Sequence, residues 1–229
     1  MKKDIAVLFD LDGVIVDTAK HHYLAWKQLA DELGFNFTVE DNERLKGVSR
    51  MDSLNILLEI GQIDLTDAEK LELATKKNTR YVESISHMDE RDILPGVANF
   101  LAELKQNDIP FALGSASKNA PLILNKIGLF DEFNAIIDGN SIAKAKPDPE
   151  VFLLGAKAVN IAKEKCIVFE DAQSGIEAGK RAGMKVVAVG DRNVLTGADD
   201  YIESMEDMSL SRLQDYFFNL PCKRLPLFQ

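Results

Sequence analysis

Short, continuous apolar runs alternate along this chain with helix-like stretches, and this alternation constrains the fold more than any other feature. The runs lie at residues 5–9, 110–114, 166–169 and 186–189, with a weaker one at 135–137. Such runs are typical of strands that are buried on both faces of a parallel sheet. Because helix-like stretches connect them, the sequence predicts an α/β fold with a Rossmann-like open parallel sheet.

A different pattern occupies the stretch from about residue 19 to residue 91. Its apolar residues fall at helical spacing, and it contains no convincing strand. Turns between its helices are predicted at three glycines, Gly34, Gly47 and Gly61. We therefore predict a helical cap domain at 19–91, inserted into an α/β catalytic core domain formed by 1–18 and 92–229.

Charge and composition argue against several classes of partner. With 37 acidic and 27 basic residues, the net charge of −10 argues against nucleic acid or an anionic membrane as a partner. No apolar run approaches the roughly 18 residues of a membrane span, and the first run is too short for a signal peptide. Cys166 and Cys222 do not make a disulfide framework, so we expect a cytoplasmic protein. In the absence of a heptad pattern, we also expect a monomer.

Polar residues follow each predicted strand, at the edge where open parallel sheets bind their ligands. Four loops therefore bring acidic, hydroxyl and amino groups to one place. Their sequences are DLDG at 10–13, GSASKN at 114–119, KAKPDP at 144–149 and EDAQSG at 170–175. The sequence predicts the functional site where these loops meet.

Asp10 and Asp12 are the most informative of these residues. Residues i and i+2 of an extended segment point to the same side, so both carboxylates face the predicted site. Like charges this close repel unless a cation lies between them or one keeps a proton. Together with Glu170 and Asp171 they offer hard oxygen ligands, which suit Mg²⁺. Beside such an ion, one aspartate is able to act as a nucleophile while the other transfers protons.

Two further loops contain residues that favour a phosphate group. Ser115 and Lys146 offer a hydroxyl donor and a positive charge for phosphoryl oxygens. Ser117, Lys118 and Asn119 open a predicted helix, whose free N–H groups attract anions. The expected substrate is therefore a small phosphorylated molecule.

Taken in this order, the motifs resemble those of the haloacid dehalogenase superfamily of phosphotransferases. The resemblance rests on DLDG at 10–13, Ser115, Lys146 and the pair at 170–171, and it covers nearly the whole chain. The cap motif LKGVSR at 45–50 is similar to that of the sugar-phosphate mutases in the superfamily. The helical insertion resembles the superfamily's cap domain of the first type.

This resemblance implies a Mg²⁺-dependent interconversion of β-D-glucose 1-phosphate and glucose 6-phosphate. The reaction would pass through an aspartyl phosphate and a 1,6-bisphosphate. Asp10 would be the nucleophile and Asp12 the general acid and base, while Ser115 and Lys146 would hold the transferred phosphoryl group. The Mg²⁺ ligands would be Asp10, the backbone carbonyl of Asp12, Glu170 and Asp171.

The resemblance also implies roles for residues of the cap. Arg50, with Ser117 and Asn119, would hold the phosphate that is not reacting, and a planar arginine fork suits such a second site. Thr18 and His22 match hinge and proton-handling positions. The remaining cap residues at the substrate would be Trp26, Gly47, Ser53 and Lys77. The alternative function is a sugar-phosphate or other small-substrate phosphatase of the same superfamily. Such an enzyme would need only one phosphate site.

Plainer interpretations stay open for several of these residues. The acidic pairs also occur as turn or helix-capping residues. A solvated surface position is compatible with the sequence around Lys146, Arg50 and His22. Trp26 also fits the apolar core of the cap. The adjacent Lys76 makes the register at Lys77 ambiguous, although the resemblance favours Lys77. The C-terminal tail around Cys222 has no functional interpretation.

Overall fold

The computed structural model describes residues 5–218. Within this range six strands form one sheet, and every neighbouring pair is parallel. The strands are β1 (Ala6–Phe9), β2 (Phe111–Gly114), β3 (Ala135–Ile137), β4 (Cys166–Glu170), β5 (Lys185–Val189) and β6 (Asp200–Ile202). Their order is β3-β2-β1-β4-β5-β6, so β1 lies between the two halves of the sheet. The predicted α/β fold with an open parallel sheet is confirmed.

Strand β1 explains why short apolar runs mark this sheet. Val7 and Phe9 belong to one apolar cluster, whereas Ala6 and Leu8 belong to another, as expected for opposite faces of a strand. All four residues are buried. The ring of Phe9 also stacks on that of Phe169 in β4, with the ring centroids 5.4 Å apart. Both faces of the sheet are covered, so no polar residue alternates with the apolar ones.

Five helices follow or flank the strands of this sheet. They are α5 (Val97–Gln106), α6 (Ala120–Lys126), α7 (Glu150–Ala158), α8 (Gln173–Arg181) and α9 (Leu210–Phe218). The sequence predicts helices at 97–106, 119–127, 150–159 and 174–182, and the first four helices agree with these ranges to within one residue at each end. The sequence does not predict strand β6, because this strand has only three residues, begins with Asp200, and lies at the edge of the sheet.

Four helices are inserted in the chain after β1 and before the other strands of the sheet. They are α1 (Ala19–Leu33), α2 (Val39–Glu43), α3 (Arg50–Gly61) and α4 (Asp67–Ser84). These helices pack around an apolar cluster of their own that includes Trp26, Phe37 and Leu54. The turn predicted at Gly61 is displaced by one residue, because Gly61 ends α3 and Gln62 takes the left-handed conformation. We refer to α1–α4 as the inserted helices.

Among residues 5–218, every helix is too short or too polar to span a bilayer. Cys166 is a buried, free thiol in β4. Cys222 lies outside the described residues.

Candidate active site

The carboxyl ends of β1, β2 and β4 place the acidic and hydroxyl side chains that the sequence singles out. Asp10 follows β1, Ser115 follows β2, and Glu170 is the last residue of β4. The backbone N–H of Asp10 donates to the carbonyl of Phe169 at 3.0 Å, and that of Ser115 donates to the carbonyl of Ile137 at 2.9 Å. The hydrogen bonding of the sheet therefore extends to Asp10 and Ser115, and it fixes the backbone from which their side chains project.

Lys146 lies between two of these carboxylates and is 2% exposed. Its ammonium group donates to Oδ1 of Asp10 and to Oε1 of Glu170. Burial on its own would lower the pKa of Lys146, but the two carboxylates outweigh burial and raise that pKa above its usual value. The interpretation of Lys146 as a solvated surface lysine is therefore excluded.

The loop that carries Lys146 is held by side chains of two helices. Glu150 in α7 accepts the backbone N–H groups of Ala143 and Lys144 through one carboxylate oxygen, at 3.0 and 2.7 Å. Arg181 in α8 donates to the carbonyl of Pro147 at 3.1 Å. These hydrogen bonds fix the loop on both sides of the buried lysine.

Asp10, Glu170 and Asp171 form an acidic cluster, in which one oxygen of each residue lies within 4.8 Å of the others. Burial and the neighbouring carboxylates raise the pKa of Asp171 well above its usual range. Burial also raises the pKa of Glu170 to about 7, although Lys146 opposes the shift. Ionisation of these neighbouring carboxyl groups is opposed by their mutual repulsion, which a bound divalent cation would relieve. This hard-oxygen set fits a divalent cation such as Mg²⁺.

Glu170 also has the plainer role that the sequence left open. Its second oxygen accepts the backbone N–H of Ala172 at 3.0 Å, just before α8 begins. The carboxylate therefore stabilises the start of α8 and pairs with Lys146 at the same time. The two interpretations are compatible.

The carboxylate of Asp12 does not belong to the acidic cluster and has a different environment. Thr18, which is fully buried, donates a hydrogen bond to Oδ1 of Asp12. Burial and the charge of Asp10 raise the pKa of Asp12 to about 6, although the hydrogen bond from Thr18 opposes the shift. A carboxyl group with this pKa exchanges a proton readily near neutral pH.

His22 and Lys77 connect Asp12 to the inserted helices. Nε2 of His22 lies 3.8 Å from Oδ1 of Asp12, and Nδ1 of His22 lies 2.9 Å from Nζ of Lys77. Burial and the charge of Lys77 keep the pKa of His22 well below its usual value, so the ring is neutral at pH 7. Burial and Arg50 lower the pKa of Lys77 to about 7. Lys77 and Asp12 therefore lie at opposite nitrogen atoms of the neutral His22 ring.

Lys76 and Lys77, of which the resemblance favours Lys77, have different surroundings. Lys77 is 2% exposed, and its ammonium group lies 4.5 Å from the ring centroid of Trp26. Lys76 is exposed and pairs with Glu32 at 2.9 Å. Lys77 is therefore the lysine that faces the site. Trp26 lines the cavity and also packs in the core of the inserted helices, so both of its interpretations hold.

A cavity of about 500 Å³ lies between the strand ends and the inserted helices. Most of the candidate site residues line it. They are Asp10, Asp12, His22, Trp26, Gly47, Arg50, Ser53, Lys77, Ser115, Ser117, Lys118, Asn119 and Asp171. Thr18, Lys146 and Glu170 lie behind the cavity wall, where each is at most 2% exposed. Arg50 is half-buried, which argues against a purely solvated helix position.

Two side-chain hydrogen bonds that the sequence did not predict join the inserted helices to the sheet domain. Nδ2 of Asn119 donates to Oδ1 of Asn78 at 2.9 Å, and Oγ of Ser174 donates to the carbonyl of Lys46 at 3.1 Å. A Cβ atom on Gly47 would lie 2.4 Å from Oγ of Ser174, and Gly47 has a φ of +71°. The loop therefore requires glycine here. The sequence contains no signal for either pair, because the partners are 41 and 128 residues apart.

Comparison with known proteins agrees with this geometry. The sequence profile of the haloacid dehalogenase-like hydrolases matches residues 7–189. The chain belongs to that family. It is 43% identical to the β-phosphoglucomutase of Bacillus subtilis over 92% of this chain and 94% of the relative. It is 32% identical to a phosphorylated carbohydrates phosphatase of Thermotoga maritima, over 79% and 82% of the two chains.

A solved structure resembles the whole arrangement. The crystal structure of β-phosphoglucomutase from Clostridium difficile superposes with a TM-score of 0.90 at 40% sequence identity. The match covers 94% of this chain and 97% of the other. This family member therefore shares the sheet and the inserted helices with a solved sugar-phosphate mutase.

Proposed function

We propose that this chain is a Mg²⁺-dependent phosphomutase that interconverts β-D-glucose 1-phosphate and glucose 6-phosphate. One observation carries the proposal: a single cavity is lined both by the predicted nucleophile, Asp10, and by a second set of phosphate-binding side chains. That second set consists of Arg50, Ser117, Lys118 and Asn119. A mutase must bind a bisphosphate in two orientations, so it needs two phosphate sites. The 43% identity to a β-phosphoglucomutase supports the same assignment.

Mg²⁺ would be held by the acidic cluster and by the backbone carbonyl of Asp12. When bound, the ion supplies positive charge to the oxygens of the phosphoryl group in transfer. The close approach of one oxygen each from Asp10, Glu170 and Asp171, whose mutual repulsion a cation would relieve, supports this choice of ion. The hydroxyl of Ser115 and the ammonium group of Lys146 would hold further phosphoryl oxygens.

Asp10 and Asp12 divide the chemistry between them. A carboxylate oxygen of Asp10 attacks phosphorus of the bisphosphate, and Asp12 donates its proton to the departing sugar oxygen. The sugar monophosphate then leaves and the other sugar monophosphate takes its place. The bisphosphate formed from it turns round before the next transfer. In the second half-reaction Asp12 accepts the proton of the attacking sugar hydroxyl, and the bond from phosphorus to Asp10 breaks. The pKa of about 6 suits a group that must both donate and accept.

The inserted helices would act as a cap over this chemistry. We assign residues 19–91 to the cap domain, and residues 1–18 and 92–229 to the core domain. Hydrogen bonds from Ser174 to Lys46 and from Asn119 to Asn78 support closure of the cap on the core. A closed cap keeps bulk water away from the aspartyl phosphate, which water would otherwise hydrolyse.

A product assay tests the function. The purified protein is given β-glucose 1-phosphate, Mg²⁺ and a trace of the 1,6-bisphosphate, and both glucose 6-phosphate and inorganic phosphate are followed. We expect glucose 6-phosphate to accumulate with little free phosphate. Release of phosphate at the rate of substrate loss would overturn the mutase and favour a sugar-phosphate phosphatase. That second candidate is supported by the 32% identity to a phosphorylated carbohydrates phosphatase.

Arg50→Ala is expected to lower mutase turnover about 10–100-fold, because a charge-assisted bidentate contact to the second phosphate is lost. Phosphorylation of Asp10 by a small acyl phosphate does not use that site and should change less than about threefold. Arg50→Lys keeps the charge without the planar fork, so its mutase turnover should lie between that of the wild type and that of Arg50→Ala. Steady-state rates with both substrates measure the difference. Equal losses on the sugar and the acyl phosphate would contradict a second phosphate site at Arg50.

A further inference from the structure

Asn42 in α2 has a side chain for which the fold provides no partner. It is 6% exposed, and it lines the cavity. Its backbone is accounted for, because its N–H donates to the carbonyl of Thr38 and its carbonyl accepts from Leu45. Its side-chain oxygen Oδ1 is buried and has no hydrogen-bond partner among the described residues.

Two other buried side-chain atoms in residues 5–218 share this condition, but they differ from Asn42 in position. They are Nη1 of Arg80 and the hydroxyl oxygen of Tyr81. Arg80 pairs with Glu32 through its other terminal nitrogen, and Tyr81 packs against the ring of His22. Neither lines the cavity. Of these three residues, Asn42 is therefore the one that lines the cavity.

A buried polar group without a partner destabilises the fold, and an apolar side chain of similar volume would remove that cost. The unpartnered atom is an acceptor oxygen, which cannot bind a phosphate oxygen because both are acceptors. The carboxamide has no charge, so it is also unsuited to proton transfer. A carboxamide offers an acceptor oxygen and two donor hydrogens, and rotation about its last torsion exchanges the two ends. This set of groups matches a sugar hydroxyl, which both donates and accepts.

We propose that Asn42 is a specificity-determining residue that hydrogen-bonds a hydroxyl group of the sugar ring. The proposal rests on the proposed function, and it adds a residue that recognises the sugar itself. The bonded hydroxyl is one that does not react, on carbon 2, 3 or 4. A site built to hydrogen-bond a hydroxyl discriminates against an analogue that lacks it, because the protein group is then left unpaired.

A cycle of variants and deoxy sugars tests this assignment. Wild type and Asn42→Leu are compared on β-glucose 1-phosphate and on its 2-, 3- and 4-deoxy analogues. We expect Asn42→Leu to lower kcat/KM for the parent sugar about tenfold without lowering Tm. On the wild type, kcat/KM for one deoxy analogue should be about tenfold lower than kcat/KM for the parent sugar. On the variant, kcat/KM for that analogue and for the parent sugar should be equal. If Asn42→Leu does not fold, Asn42→Ala replaces it in the same cycle.

Thr75→Val is the matched control, because Thr75 also lines the cavity but its hydroxyl already donates to the carbonyl of Leu71 at 2.7 Å. It should leave the ranking of the four sugars unchanged. The proposal is overturned if Asn42→Leu has the kcat/KM of the wild type on the parent sugar. It is also overturned if the substitution lowers kcat/KM by the same factor for the parent sugar and for every deoxy sugar. A wild type that releases phosphate instead of product refutes the mutase. The same cycle, followed by phosphate release, then still decides the role of Asn42.

Discussion

Asp10→Asn is expected to abolish turnover of β-glucose 1-phosphate, with a loss of at least about 10⁴-fold. The carboxylate oxygen that would form the bond to phosphorus is replaced by an amide, which is a poor nucleophile. The amide oxygen is still able to accept the hydrogen bond from Lys146, so the fold should persist. Formation of glucose 6-phosphate measures turnover. The mass of the protein after incubation with a small acyl phosphate measures phosphorylation, which should disappear.

Asp17→Asn is the control for that substitution, since Asp17 is an exposed aspartate seven residues further along the chain. It should keep wild-type turnover and a phosphorylated mass. Retention of substantial activity by Asp10→Asn would remove Asp10 as the nucleophile. A phosphorylated Asp10→Asn protein would lead to the same conclusion, because the phosphoryl group would then be attached elsewhere.

The sheet could be predicted from the sequence because its central strands are buried on both faces. A residue such as Leu8 or Val168 has no solvent-facing neighbour to interrupt the apolar run, and the signal is therefore local. Strand β6 lacks this signal. It lies at the edge, and Asp200 and Tyr201 are only partly buried, so nothing in three residues separates it from a loop.

The acidic residues of the site could be predicted for a similar reason. Parallel strands end at one edge, so residues that follow them, such as Asp10 and Asp171, meet without any knowledge of the loops. What could not be predicted is how groups from distant segments pair. The contact of Lys146 with Glu170 as well as Asp10, and the unpartnered carboxamide of Asn42, depend on packing between the sheet and the inserted helices.

Asp12→Asn is expected to slow phosphoryl transfer to and from the sugar about 10²–10⁴-fold, because the group that exchanges a proton with the sugar oxygen is lost. Mg²⁺ affinity, measured by calorimetry, should decrease far less than the rate of transfer does. The side chain of Asp12 is outside the acidic cluster, and its proposed contact with the ion is through the backbone carbonyl. A comparable loss of metal affinity would contradict the proton-transfer role and make Asp12 a side-chain ligand.

The pH dependence of the same variant gives an independent test. Burial and the charge of Asp10 raise the pKa of Asp12 to about 6, and the ionised form is the one that accepts the proton of the sugar hydroxyl. For the phosphorylated enzyme, kcat/KM for β-glucose 1-phosphate should therefore fall as the pH decreases through the pKa of Asp12. A bound cation stabilises the ionised form, so Mg²⁺ should move this limb to lower pH. Asp12→Asn should lack the limb, and its persistence in the variant would assign the titration to another group.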